Sequence, residues 1–133
     1  MMELREVSAP ALAYLGDCVL ELCARRHLVE LGYSTSRHLN AEALKFVRAS
    51  AQAEAMKRIL PILNETEAAY FRRGRNIGHT NVPKSATVSE YRTATGMEVL
   101  FGYLHLSAQP ERIDELFQIG YLDGADTESA VDE

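Results

Sequence analysis

The sequence has few cysteines and no long apolar run, and each absence excludes a class of protein. Its only cysteines, Cys18 and Cys23, lie five positions apart on one predicted helix. Their side chains therefore point about 140° apart and cannot form a disulfide with each other. We expect buried, reduced thiols without a redox or zinc role. No apolar stretch approaches the roughly 18 residues that a bilayer span needs, and residues 1–7 lack a signal-peptide layout. We expect a cytoplasmic protein.

Several common catalytic patterns are also missing. The four histidines are scattered, without the spacing of a histidine metal site, at His27, His38, His79 and His105. No Ser, Cys or Thr has an evident base and orienting acid, so covalent catalysis has no support. Neither a Walker-type nor a dinucleotide-type phosphate loop occurs. Histidine-based metal chemistry and nucleotide-loop chemistry are therefore disfavoured.

Charge is unevenly distributed along the 133 residues. The net charge of −5 argues at first against a nucleic-acid partner. However, eight of the 19 acidic residues lie after position 110, and the first 110 residues carry 13 basic and 11 acidic side chains. We expect one folded domain over residues 1–122, followed by an acidic, disordered tail over 123–133. The folded part remains compatible with an RNA or DNA partner.

Apolar spacing and capping signals predict six helices and no strand. The first helix has a predicted apolar stripe that consists of Leu12, Leu15, Val19 and Leu22. The predicted helices cover residues 8–31, 36–50, 51–63, 66–74, 86–106 and 110–120, with a loop over 75–85. This pattern indicates an all-α bundle.

Two acidic residues stand out because their helical neighbours are mostly small or apolar. Asp17 lies on the first predicted helix, and Glu98 lies in the apolar second half of the fifth. A helix that is apolar nearly all round is typically buried, and a buried carboxylate costs several kcal/mol unless something compensates. We therefore expect both acids to be buried and to need a partner.

Glycines accompany both acids. Gly16 immediately precedes Asp17. Gly96 and Gly102 lie on either side of Glu98. A glycine inside a helix costs about 1 kcal/mol relative to alanine, and it is typical of places where two backbones approach closely. We expect the first and fifth helices to cross here and to bring the two carboxylates together, where Mg²⁺ would relieve their repulsion.

The spacing leaves an alternative open. Each acid could instead form a salt bridge with a buried arginine, such as Arg25 or Arg92. Glu21, one turn beyond Asp17, also has two interpretations: an outer contact to a metal, or a salt bridge to Arg25.

A basic segment forms the third signal. Residues 71–84 carry four positive charges, a histidine and no acid. Arginine matches phosphate geometry with its planar guanidinium, and Gly and Asn let backbone donors approach a sugar-phosphate strand. We expect this segment to reach the phosphates of a nucleic acid from a flexible platform, with a merely solvated basic surface as the alternative.

Four motifs, in order, resemble the catalytic domain of ribonuclease III, and within that family the Mini-ribonuclease III group, which lacks a double-stranded RNA-binding domain. Residues 12–22 (LAYLGDCVLEL) resemble the family's signature helix, and residues 94–104 (ATGMEVLFGYL) resemble the late helix with the other metal carboxylate. Residues 47–53 (VRASAQA) and 71–76 (FRRGRN) resemble Mini-III segments. The likeness covers about residues 8–106.

This resemblance implies an all-α homodimer that cleaves double-stranded RNA with Mg²⁺, or with Mn²⁺ as a substitute, and leaves 5′-phosphomonoesters. It implies Asp17 and Glu98 as the catalytic metal ligands. It also implies maturation of the 23S ribosomal RNA precursor, and leaves open whether a ribosomal protein presents the substrate. The residues expected to bind RNA are Arg72, Arg73, Arg75, Asn76 and Lys84.

The chain departs from full-length ribonuclease III at two positions. Ala13 and Thr95 stand where the larger enzymes have further acids. The resemblance implies that this reduced set is a property of the Mini-III group, and it leaves the number of metals open. A ribonuclease III-like domain that binds ribosomal RNA without cutting it is the alternative function. A purely helical interaction protein would leave the two acids unexplained.

Overall fold

The computed structural model describes residues 3–77 and 82–123, and within these ranges it contains six α-helices and no strand. The all-α prediction is therefore confirmed. The helices are α1 (Ala9–Glu30), α2 (Ser36–Val47), α3 (Ala49–Ile59), α4 (Glu65–Arg75), α5 (Val88–Leu106) and α6 (Pro110–Phe117). Short 3₁₀ turns cover Leu4–Glu6 and Leu60–Ile62, and a π-helical turn, Gln118–Leu122, extends α6 beyond its predicted end.

Side-chain caps define where four of these helices begin, and at α2 the Thr35 hydroxyl accepts from the backbone N–H of His38. The Ser8 hydroxyl accepts from a backbone N–H in the first turn of α1 at 3.2 Å. Asn64 and Glu67 form a capping box at the start of α4, and Thr87 and Glu90 form one at the start of α5. Each box satisfies backbone N–H groups that have no partner within the helix. The caps therefore move the starts of α4 and α5 to Glu65 and Val88, one residue before and two residues after the predicted positions.

A single extended residue separates α2 from α3. Arg48 has φ −69° and ψ 152°, which interrupts the helical backbone. The predicted division between residues 50 and 51 was therefore two to three residues late. No glycine or proline marks this break, so the local sequence offered no clear stop signal.

Helix α5 lies at the centre of the molecule. It packs against α1, α3 and α4, and also against α6. It is therefore apolar around most of its circumference, and its fully buried side chains are Met97, Val99, Leu100, Phe101 and Leu104. Any polar group on this part of α5 lies at or near the core.

Helix α1 buries one face and exposes the other. Leu12 and Val19 of the predicted stripe are buried and Leu15 is half-buried, but Leu22 is 66% exposed. The prediction was thus wrong for Leu22, because the buried face of α1 includes Leu20 and not Leu22. The apolar residues on the outer side of α1 are not covered by the part of the chain that the structure describes.

The expectation of two buried thiols is correct for only one of them. Cys23 is buried, and burial raises the pKa of its thiol to about 11. Cys18 is exposed, because it lies on the outer side of α1. Both thiols are free, as predicted.

Some predictions fall outside the described residues. These are the disordered tail from residue 124 onward and positions 78–81 of the predicted loop, which includes His79. Among the residues that the structure describes, no helix is long and apolar enough to cross a membrane.

Candidate active site

Two glycines allow α1 and α5 to touch backbone to backbone. A Cβ atom at Gly16 would overlap the carbonyl oxygen of Glu98, and one at Gly102 would overlap the carbonyl oxygen of Leu12. Only glycine permits so close an approach. The predicted crossing of the first and fifth helices is therefore confirmed, and it sets Asp17 directly beside the turn of α5 that carries Glu98.

Gly96 packs against α4 and not, as predicted, against α1. A Cβ atom at Gly96 would lie 2.7 Å from the ring of Phe71, and one at Gly74 would lie 2.7 Å from the Cα of Gly96. Both glycines therefore pack α4 against α5, and Gly96 does not face α1. This contact places the basic end of α4 beside the first half of α5.

The side chains of Asp17 and Glu98 lie within hydrogen-bonding reach of each other. Asp17 is exposed and Glu98 is half-buried, so the expectation of two buried acids was wrong for Asp17. Burial, followed by the negative charge of Asp17, raises the pKa of Glu98 from its ordinary value of 4.5 to about 8. The crossing thus concentrates negative charge at one point.

The arginine alternative does not describe this pair. Arg25 binds Glu21 at 2.9 Å on the exposed side of α1, and in the described part of the chain no salt bridge includes Asp17 or Glu98. Glu21 accordingly forms the salt bridge that was one of its two interpretations. Neither acid of the pair is neutralised by a basic side chain.

Gln52 was not among the residues that the sequence indicated for the site. This α3 residue is 3% exposed, and its side-chain amide donates a hydrogen bond to the Glu98 carboxylate. The sequence signal that could have revealed it is a polar residue on an otherwise apolar face of α3. The apolar residues of that face are Ala55, Met56 and Ile59. The motif VRASAQA contained this residue, but its partner is 46 positions away and is set by tertiary packing.

The donor set suits a hard divalent cation. Two carboxylates without a basic partner supply oxygen ligands and negative charge, and Mg²⁺ typically binds one or two carboxylates and retains several waters. Within residues 3–77 and 82–123, no group of three or more His, Cys, Asp or Glu side chains is placed to hold a metal. The Thr95 hydroxyl donates to the carbonyl of Tyr91 at 2.9 Å. Asp17 and Glu98 are therefore the two described carboxylates available to a metal at this point.

Arg72 and Arg73 lie on α4, as predicted, and Arg75, which was predicted to begin the loop, is the last residue of the same helix. Helix α4 continues to Arg75, so Arg72, Arg73 and Arg75 project from its last turn. Their charges complement the negative end of the helix dipole, which favours the helical conformation there. All three are exposed, although Arg73 donates to the carbonyl of Val7 at 3.1 Å. Arg73 therefore also anchors the N-terminal segment.

A polar depression of about 300 Å³ lies between the end of α4 and the start of α5. Arg75 and Asn76 line one side, and Ser89, Arg92 and Thr93 line the other. No acidic residue lines it. Arg92 and Glu98 are six residues apart on α5, or about 9 Å along the helix axis. Lys84 is exposed in the turn that precedes α5.

The sequence indicated Arg92 only as a possible salt-bridge partner of an acid, and it did not predict that Arg92 lines this depression. Ser89, Arg92 and Thr93 follow helical spacing and form one polar face, which was the available signal. Their opposition to Arg75 depends on the packing of α4 against α5.

Comparisons with known proteins identify relatives of this chain. The Ribonuclease III domain family matches residues 10–109. A "Mini-ribonuclease 3" of Symbiobacterium thermophilum is 45% identical over 80% of this chain and 82% of that protein. A protein of the same name from Enterococcus faecalis is 42% identical over 87% of this chain and 89% of that protein.

A solved structure shows the same architecture. The crystal structure of a Fusobacterium nucleatum protein superposes with a TM-score of 0.80 at 32% sequence identity, over 90% of this chain and 95% of that one. With the family match and the sequence identities, this shows that the chain belongs to the ribonuclease III family of endoribonucleases, within its Mini-ribonuclease 3 group.

Proposed function

We propose that this protein is a Mg²⁺-dependent endoribonuclease that cleaves double-stranded RNA and leaves 5′-phosphomonoesters. One observation carries the proposal. The glycine-mediated crossing of α1 and α5 brings Asp17 and Glu98 together, and among the described residues no basic side chain forms a salt bridge with either acid. Such a pair is poorly suited to stabilise a fold, since like charges repel, and well suited to hold a cation.

Asp17 and Glu98 are the proposed metal ligands, with Mn²⁺ as a substitute for Mg²⁺. When bound, the metal lowers the pKa of a coordinated water and neutralises charge on the scissile phosphate. Asp17, which is exposed, faces the solvent from which RNA arrives. The Glu98 carboxylate accepts a hydrogen bond from Gln52. The backbone of Glu98 lies directly against Gly16 of α1.

The substrate contact that we propose lies at the junction of α4 and α5. Arg72, Arg75, Asn76 and Lys84 are exposed donors, and Arg92 adds a further cation in the depression that Arg75 and Asn76 line. Arg73 contributes charge while it anchors the N-terminal segment. Exposed cationic donors fit duplex RNA, which proteins recognise mainly through its shape and backbone.

The outer face of α1 supports a homodimer. Tyr14 is 86% exposed and Leu22 is 66% exposed, and with Leu15 and Cys18 they line a depression whose charged residues are Asp17, Glu21 and Arg25. Exposed apolar side chains that are grouped in this way favour an interaction site. A two-fold dimer through this face sets two sites side by side, which suits cleavage of both strands of a duplex.

The cellular task that we propose is maturation of the 23S ribosomal RNA precursor. The support is the resemblance to Mini-ribonuclease III and the family membership. Purified protein acting on a precursor transcript, alone and with ribosomal proteins added, tests both the substrate and the need for a protein that presents it.

Cleavage of a duplex RNA with and without Mg²⁺ tests the function directly. We expect cleavage that requires the metal, and we expect Asp17→Asn to abolish it while helical content, oligomeric state and RNA binding are retained. Glu30→Gln, an exposed acid at the end of α1, is the matched control and should keep full activity. Activity retained in Asp17→Asn would contradict the assignment of the site.

The alternative is a ribonuclease III-like domain that binds ribosomal RNA without cutting it. The reduced acidic set favours it, because Ala13 and Thr95 supply no carboxylate. Duplex binding without cleavage in Mg²⁺ or Mn²⁺ would support this alternative and contradict the proposed activity.

A further inference from the structure

Gln52 is a buried polar side chain on an otherwise apolar helix face. It is 3% exposed, and Ala55, Met56 and Ile59, which share its side of α3, are at most 1% exposed. A buried amide without a hydrogen bond is unfavourable, because the loss of its hydration is not compensated. An apolar residue would satisfy packing at this position, so the amide requires a specific explanation.

The partner of this amide is the Glu98 carboxylate, to which Gln52 donates. Glu98 therefore lies between two polar neighbours on different helices, Asp17 from α1 and Gln52 from α3. A hydrogen bond from one side restricts the rotation of the Glu98 side chain. It therefore fixes which part of the carboxylate is directed to Asp17.

The neutrality of the glutamine amide matters as much as its hydrogen bond. A lysine or arginine at position 52 would neutralise part of the negative charge that attracts a metal. A glutamate would add a third negative charge and could not donate when ionised. Glutamine supplies a donor and leaves the net charge of the Asp17–Glu98 pair unchanged.

We propose that Gln52 is a positioning residue that orients the Glu98 carboxylate for metal binding from the interior side of the site. Groups that orient metal ligands in this way typically contribute 10- to 100-fold to metal affinity or activity. This inference rests on the proposed function, since it concerns the same metal site. It assigns a role to a residue that does not itself contact metal or RNA.

The test compares Gln52→Met with Met56→Leu, a change of similar size on the same buried face of α3. We measure Mn²⁺ binding directly by electron paramagnetic resonance, and we measure kcat and KM for a duplex RNA. In Gln52→Met we expect Mn²⁺ affinity and kcat each to fall about 10- to 100-fold, with KM for RNA nearly unchanged. Met56→Leu should change none of the three.

Gln52→Asn serves as a second variant if Gln52→Met does not fold. The asparagine side chain is one methylene shorter, so its amide lies farther from Glu98. We therefore expect this more conservative change to cause the same loss of Mn²⁺ affinity. Unchanged Mn²⁺ affinity and kcat in a folded Gln52 variant would overturn the positioning role. Failure of the proposed function would appear separately, as metal-independent cleavage or as activity in Asp17→Asn.

Discussion

Glu98 has two side-chain neighbours with opposite effects on its charge. Asp17 disfavours the ionised form through repulsion, and the Gln52 hydrogen bond favours it. Burial is the largest cause and also disfavours the ionised form, and the net result is a pKa of Glu98 raised to about 8. At neutral pH without metal, the folded protein therefore either holds a proton on Glu98 or bears the cost of an ionised buried acid.

The pH dependence of stability follows from this shift. The folded state holds the Glu98 proton more tightly than the unfolded state, so the parent protein loses stability as pH rises from about 4.5 to about 8. Glu98→Gln lacks this proton. In urea titrations with a chelator, we expect the variant to gain stability relative to the parent between pH 5 and pH 8. An equal difference at both pH values would contradict the shift.

At the scale of helices, α4 and α6 are joined by a buried ion pair. Glu67 is 1% exposed and accepts from Arg112 through both carboxylate oxygens, at 2.8 Å and 2.7 Å. The arginine also donates to the carbonyl of Ile62 at 3.0 Å. The hydrogen bonds from Arg112 lower the pKa of Glu67. The pair holds the start of α4 and thereby the alignment of α4 along α5.

Removal of one partner from this pair should be strongly destabilising. Arg112→Met leaves the Glu67 carboxylate buried without its cation, and we expect a loss of about 3–5 kcal/mol in the free energy of unfolding. Glu67→Gln combined with Arg112→Met removes the unpaired charge, so the double variant should be more stable than Arg112→Met alone. Chemical denaturation measures both. A double variant as unstable as the single one would contradict this account.

The sequence predicted the helices well because each has a local signal, namely helical spacing of apolar residues together with a cap or stop. Asn64 and Thr87 are such caps, and they place the true starts within two residues of the predicted ones. The break at Arg48 has no such signal, and neither does the continuation of α4 to Arg75. Both depend on how the helices pack against α5.

At the scale of the whole molecule, the outer face of α1 remains uncovered within one chain. We expect Leu22→Glu to shift the protein from dimer to monomer, because a charge at the centre of an apolar interface must be desolvated. Leu44→Glu, at an apolar position on α2 that is 53% exposed, is the matched control. Sedimentation equilibrium measures both. A dimeric Leu22→Glu protein would exclude this face as the interface.

The basic surface predicts the salt dependence of RNA binding. Arg75→Ala and Arg92→Ala should each weaken duplex binding and lower the slope of log affinity against log salt by about one. Arg58→Ala is the control, because this exposed arginine on α3 lines a different depression. An unchanged slope in both test variants would remove the junction of α4 and α5 from the proposed RNA contact.

The sequence alone determined the helical class, the two acids and the crossing glycines, because helical periodicity and the cost of glycine within a helix are local properties. It overestimated the burial of Asp17, because apolar neighbours along a helix do not reveal which side the core covers. Tertiary structure alone decided the partners. Gln52 contacts Glu98, Gly96 packs against Phe71, and Arg92 lines the same depression as Arg75, only because α3 and α4 pack against α5 at particular positions.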